Sequence, residues 1–148
     1  HVVTYGDDVD AVEVSHWGPA IRHHPQFAPR GANANFVQLL GEGEIALRTW
    51  EFGVEAETLA CGTGSAAAAV LSHMHFGWPE DCGAERRPIR VRARSKDVLK
   101  VSFEGGPGGT FQNVCLETVV RFLCLGKLHS DLRNVALNPV AEAPTSES

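Results

Sequence analysis

Apolar and polar positions change period several times along the chain, and each change marks an element. Val2 to Tyr5 is rich in β-branched residues and reads as a strand, ended by Gly6-Asp7-Asp8. Asp10 stands where a helix N-cap is expected, with Glu13 three positions on as in a capping box. Val14, Trp17 and Ile21 follow at helical spacing, and Pro25 and Pro29 predict an irregular link beyond them. Asn35 to Leu40 and Ile45 to Phe52 read as strands on either side of a Gly41-Glu42-Gly43 turn. On the second strand Ile45, Leu47 and Glu51 share one face, and Arg48, Trp50 and Phe52 the other.

The stretch TLACGTGSAAAAVL, Thr58 to Leu71, opens a helix expected to run from Gly62 to Phe76. It is apolar nearly all round, which predicts burial, and its alanines let other backbones come close. Gly77-Trp78-Pro79 stops it. Ile89 to Arg94 and Val98 to Phe103 predict two more strands. Gly105 to Gly109 predicts a turn with no capacity for either regular element, and Val114 to Leu125 a last, long strand region. From about His129 the chain turns polar and ends APTSES, the composition of a disordered tail. The expected fold is α+β: a curved, mostly antiparallel sheet or barrel wrapped around a central buried helix. Residues 1–128 form the one expected domain and 129–148 the tail.

The full sequence has 148 residues, 43% hydrophobic and 21% charged, enough for one globular domain with a real core. No apolar run approaches the roughly 20 residues of a membrane helix. His1 opens straight into a strand-like run with no signal-peptide pattern and no Met, so a preceding segment is expected. A net charge of −5 argues against nucleic acid as a partner. Arg86, Arg87, Arg90, Arg92, Arg94 and Lys96 are a local exception. The arginines at even positions alternate with Ile89, Val91 and Ala93, as on a solvated strand face, with an anion or partner surface as the sharper alternative.

Of four cysteines, Cys61, Cys82, Cys115 and Cys124, none has CxxC spacing. A reducing, cytoplasmic compartment follows, and the histidines show no metal-ligand spacing. Cys82, Cys115 and Cys124 read as packing residues. Cys61 differs, because it stands immediately before Gly62-Thr63-Gly64 at a helix start. The first amides of a helix lack internal acceptors and carry roughly half a unit of positive charge. They favour a thiolate over a thiol whose usual pKa is about 8.5, and they can seat a carboxylate or phosphate beside it. The glycines leave room for such an anion, and Thr63 adds a hydroxyl. The GK[ST] ending of a phosphate loop is missing, which argues against a nucleotide.

ETLACGTGSAAAAV resembles the second catalytic-cysteine motif of diaminopimelate epimerases. HVVTYGDDVDAVEV, IRHHPQFAPRGANANFVQ and LRTWEFGVEAETLACGTG agree with the same family in order. The likeness is close over residues 1 to 77 and looser over 89 to 127. It implies two similar halves, each a sheet curled around a central helix, with one cysteine from each half and the substrate between them. It implies no cofactor. One thiolate removes the α-proton and the opposite thiol reprotonates the other face, interconverting LL- and meso-diaminopimelate for lysine and cell-wall synthesis. On this resemblance Cys61 is one acid/base thiol, and Gly62 and Thr63 give amides to the α-carboxylate. Glu51 contacts substrate beside the thiol, His1 lies near the reacting carbon, and Asn33 recognises the distal end of the substrate. Read on their own, Asn33 is equally a turn residue and Glu51 a strand-end surface acid.

The departures are specific. No second cysteine stands in a Cys-Gly-Asn setting, so this chain is expected to be one half, inactive alone and completed by a missing half or a companion chain. Phe52 stands where the family has an arginine for the distal carboxylate. The family's Leu-Glu-Gly-Pro-Ala is here Leu116-Glu117-Thr118-Val119-Val120. The alternatives are a related amino-acid racemase or phenazine-pathway isomerase, and a non-catalytic half-domain that binds an anion or another chain. A cysteine hydrolase is a further alternative, and it needs a histidine held against Cys61.

Overall fold

A computed structural model describes residues 1–126; the expected tail, 129–148, lies outside the described residues. The strands are β1 (Val2–Tyr5), β2 (Ala34–Gly41), β3 (Glu44–Glu51), β4 (Ala56–Thr58), β5 (Ile89–Arg92), β6 (Val98–Gly105) and β7 (Phe111–Glu117). They form one sheet in the order β1-β2-β3-β5-β6-β7. β1–β2 and β3–β5 pair in parallel, and the remaining pairs are antiparallel. One edge of β3 is shared: Glu44–Ala46 pair with β5, and Thr49–Glu51 with β4. The helices are α1 (Val14–Arg22) and α2 (Gly62–Phe76), giving the α+β class expected from the pattern.

Strand alternation assigns each helix its own face of the sheet. Val37, Ile45, Leu47, Ile89, Val91, Leu99, Val101 and Phe103 pack with Ala68 and Ala69 of α2. Ala34, Phe36 and Ala46 pack with Val14 of α1, with Ile21 and Trp50 alongside. β2 is therefore covered on both sides over Ala34 to Val37, all buried. Asn35 is consequently sealed in the α2 face although it is polar.

Several elements differ from the sequence expectation. Asp10 caps no helix: α1 starts at Val14, after Glu13, without a side-chain cap. The Arg48 guanidinium reaches across from β3 and donates to the carbonyls of Val9, Asp10 and Val12, which holds that segment as a turn. Trp17 is 53% exposed, and Gly18, not Trp17, joins Val14 on the buried side of α1. A Cβ on Gly18 would lie 2.5 Å from Trp50. α2 is buried on one face only, through Gly64, Ser65, Ala68, Ala69 and Ser72, while Leu71 and Met74 stay exposed. The last strand ends at Glu117, and residues 118–126 pair with no strand among the described residues. Their Val119, Val120, Phe122, Leu123 and Leu125 are exposed. Gly105 completes β6, and Pro107–Gly109 form a single 3-10 turn.

The basic run lies on a solvated strand face. Ile89 and Val91 are buried while Arg90 and Arg92 are exposed. Carboxylates neutralise much of it: Arg87 pairs with Asp81 at 2.9 Å and with Glu42, Arg92 with Glu44 at 3.0 Å, and Arg94 with Glu57 at 3.5 Å. Exposed pairs of this kind contribute little to stability. Among the described residues no helix is long and apolar enough to cross a membrane.

Arg48 and Glu57 form the tightest side-chain pair between β3 and β4, at 2.6 and 2.8 Å. The hydrogen bond from Arg48 is the main reason the Glu57 carboxyl lies below its ordinary pKa. A depressed folded pKa gives stability that is complete above the unfolded value, about 4.3, and is lost as pH falls through the folded value. Glu57→Gln is therefore expected to destabilise the protein by about 1–3 kcal/mol at pH 7. The difference from wild type should shrink as denaturation is followed below about pH 4. A pH-independent difference would show that the ion pair is not its source.

Candidate active site

Cys61 is the N-cap of α2, with extended backbone angles and its Sγ accepting from the Gly64 amide at 3.4 Å. Its carbonyl accepts from the Ser65 amide and from the Ser65 hydroxyl, each at 2.8 Å. The Thr63 hydroxyl lies 3.7 Å from the sulfur. Cys61 is buried, with the sulfur facing polar groups at the helix start rather than hydrocarbon alone. The amides of Gly62 and Thr63 have no acceptor among the described residues. They are the donors that a helix start leaves free, and they carry its positive end. An anion placed there meets two N–H groups beside a thiol.

Gly64 fits this junction because it has no side chain. A Cβ there would stand 2.5 Å from Asn35 Oδ1 and 3.1 Å from Cys61 Sγ. The start of α2 is thus pressed onto Asn35, whose Nδ2 donates to the Val2 carbonyl at 2.9 Å and whose Oδ1 accepts from Thr49 at 3.0 Å. The same Nδ2 lies 3.3 Å from His1 Nδ1. Asn33 Nδ2 reaches that ring nitrogen from the other side, also at 3.3 Å, while its Oδ1 accepts from the Phe52 amide. Both amides are oriented by their other partners, so His1 Nδ1 is the acceptor. The neutral ring then carries its proton on Nε2, leaving that N–H as its available donor.

His1 and Asn33 are therefore joined to each other, and through Asn35 to the start of α2. Asn33 is not only a turn residue, since its side chain bridges His1 and the end of β3. Glu51 lies on the α2 face of β3, two residues beyond Thr49, and is partly exposed. Its carboxylate bonds no side chain among the described residues, and it is not joined to Cys61. No histidine nitrogen bonds Cys61 Sγ among the described residues, so the hydrolase arrangement does not form. No group of three metal-ligating side chains occurs there either.

Three features were not read from the sequence. In the sequence Asn35 reads as a strand start, and its inward register beside Val37 marks it as a buried amide needing partners. Arg22 is 9% exposed; it donates to Glu55 at 3.0 Å and to the Arg30 carbonyl at 2.8 Å. Its guanidinium also lies 4.1 Å from the centre of the Phe52 ring. Glu55 lies below the ordinary carboxylate range, first through the Gly53 amide and then through Arg22. Finally, an open cleft of about 320 Å³ is lined by His1, Arg30, Gly31, Ala32, Asn33 and Phe52.

The family model described as "Diaminopimelate epimerase" matches residues 1–106. The diaminopimelate epimerase of Aquifex aeolicus is 45% identical over 103 residues, covering 70% of this chain and 35% of the relative. That of Hydrogenobaculum sp. is 50% identical over 98 residues, covering 66% and 33%. That of Chlamydia muridarum is 38% identical over 106 residues, covering 72% and 38%. The matched part of the chain spans about a third of the length of these curated relatives.

The packing of α2 onto Asn35 has a direct test. Gly64→Ala adds a better helix former but drives a methyl into Asn35 and Cys61. It is expected to cost about 1–3 kcal/mol in chemical denaturation. Gly62→Ala meets only the flexible end of Leu116, at 3.1 Å, and should cost less. Equal or opposite effects would show that the close contact at residue 64 does not constrain the helix start.

Proposed function

The chain belongs to the diaminopimelate epimerase family, and we propose that it is the Cys61-bearing half of a cofactor-independent, two-thiol isomerase acting on diaminopimelate. The observation that carries this reading is the thiol at the cap of α2 beside the two free amides of Gly62 and Thr63. A substrate α-carboxylate seated on those amides places its α-carbon near the sulfur. The Cys61 thiolate takes the α-proton and becomes a thiol, and the electron pair left on carbon spreads into the carboxylate. The positive helix end opposes that growing charge. A second thiol then gives its proton to the opposite face and becomes the thiolate, inverting the centre between the LL and meso forms. His1 and Glu51 are proposed as polar groups around the reacting carbon, and Asn33 as a contact to the substrate.

The second thiol comes from outside this chain in this reading, either from a preceding segment or from a companion polypeptide. Cys82 is sealed in the core on the α2 face, and burial pushes its pKa up. Cys115 pairs with Ser102, so it lies on the sheet face opposite α2. Residues 1–128 then form one half with α2 as its central helix. The exposed apolar side chains of α2 and of residues 119–125 are surfaces for the complementary half. Free thiols at all four cysteines suit a reducing cytoplasm, the compartment of lysine and peptidoglycan precursor synthesis.

Two measurements test this. Diaminopimelate should protect Cys61 from alkylation by iodoacetamide, read by peptide mass spectrometry with exposed Cys115 and Cys124 as internal references. Unchanged labelling of Cys61 removes the proposed seat. In deuterium oxide, LL-diaminopimelate incubated with this chain alone should yield no meso isomer by NMR, and efficient conversion would overturn the one-half reading. Phe52, 46% exposed at the end of β3, favours one other reading, a related racemase or isomerase for a less polar amino acid. Protection of Cys61 by proline or an aromatic amino acid, and not by diaminopimelate, selects it.

A further inference from the structure

The ion pairs of the basic run do not use up its donors, and several of those left free meet at one pocket. Gln38, Ala46 and Arg92 lie side by side across β2, β3 and β5, through the pairs Gln38↔Ala46 and Ala46↔Arg92. Residues paired in this way point to one face, here the α1 face, across the sheet from α2. Ala46 is the small residue of the row. It floors a pocket of about 70 Å³ whose walls include Gln38, Arg48, Arg92, Arg94 and Lys96.

Arg48 is committed to Glu57 and to the carbonyls of Val9, Asp10 and Val12, so it fixes the wall. The others keep free donors. Gln38 Oε1 accepts from the Val9 amide at 3.2 Å, which leaves its NH2 group to donate. Arg92 gives one nitrogen to Glu44 at 3.0 Å, and Glu44 is shared with Arg90 at 3.8 Å. Arg94 stands 3.5 Å from Glu57, whose two oxygens Arg48 already holds at 2.6 and 2.8 Å. Lys96 reaches Asp10 only at 3.9 Å. Five cations thus share three carboxylates, an excess of two positive charges. A phosphate group carries roughly −1.5 to −2 charge and presents three oxygens to arginine forks.

We propose that this pocket binds a phosphate group, as the free ion or as a monoester, held by Arg92, Arg94, Lys96 and Gln38. A carboxylate, with one charge and two oxygens, leaves part of that donor set unused. Asp10 is the one acid among the lining residues, and it opposes the anion. The site lies across the sheet from Cys61 and does not depend on the reading of that thiol.

The test is titration calorimetry of the whole chain with inorganic phosphate, at constant ionic strength and about pH 8, where phosphate is mostly dianionic. One saturable site is expected. Arg92→Gln and Arg94→Gln should each weaken it about tenfold or more. Asp10→Asn should tighten it by removing the opposing charge. Arg86→Gln removes an exposed charge of the same run outside the pocket and should leave the affinity unchanged. All four positions are exposed, so the variants are expected to keep the wild-type melting temperature, measured without phosphate. Glycerol 3-phosphate, titrated in parallel, separates the two sources: comparable or tighter binding assigns the pocket to a monoester, and exclusion to the free ion. Lack of saturable binding by both ligands overturns the proposal. An equal loss in Arg86→Gln and Arg92→Gln also overturns it, since that pattern is diffuse attraction to a basic surface.

Discussion

The site depends on one buried amide. Asn35 has no exposed surface, so each of its polar atoms must find a partner within the protein. It finds them on the Val2 carbonyl and the His1 ring at the start of the chain and on the Thr49 hydroxyl of β3, two stretches distant from its own. Leaving one such buried group unsatisfied costs about 1–3 kcal/mol, so these segments are locked in one register. The helix that carries Cys61 is then set against this amide through Gly64, with no side chain between them. The thiol is placed by the sheet as much as by its own helix.

The second support is ionic and lies on the other face of the sheet. Arg22 reaches from the last turn of α1 to the loop before β2 and to the turn after β3. These two segments are also the walls of the open cleft, carrying Arg30 and Asn33 on one side and Phe52 on the other. Asn33 closes the same gap directly by accepting from the Phe52 amide. A buried guanidinium must be nearly saturated with acceptors to remain there. The loop conformation that supplies its carbonyl acceptor is therefore a condition of the fold and not only of the cleft.

Much of this architecture was legible where the residue pattern was periodic. The strand alternation of residues 45 to 52 placed Leu47 and Trp50 on opposite faces, and the helix from Gly62 to Phe76 was read to its ends. What failed depended on partners distant in sequence. The Asp10 cap was a sound local reading, but Arg48, 38 residues on, takes that carbonyl together with those of Val9 and Val12. Trp17 is in phase with Val14, yet Gly18 is the residue that lets Trp50 approach. β4, three residues long, has too short a pattern to read and exists because β3 has an open edge beside it. For the site, the glycines around Cys61 announced the helix start. His1, Asn33 and Glu51 came from the family likeness, and only the first two are bonded into one network.

The position of the thiol limits the chemistry it can perform. A sulfur capping a helix beside two free amides approaches a seated substrate from one side, whichever substrate it is. Inverting a carbon centre requires proton delivery from the opposite side, and the other cysteines of the described residues are buried, across the sheet, or beyond its last strand. Apolar side chains are also exposed on α2, at Leu71 and Met74, and along residues 119–125. On the proposed two-thiol reading, the second acid and the cover for these side chains have one source. A complementary body of the kind proposed above would cover those side chains and bring a thiol to the far face of the substrate, which a small ligand alone would not do.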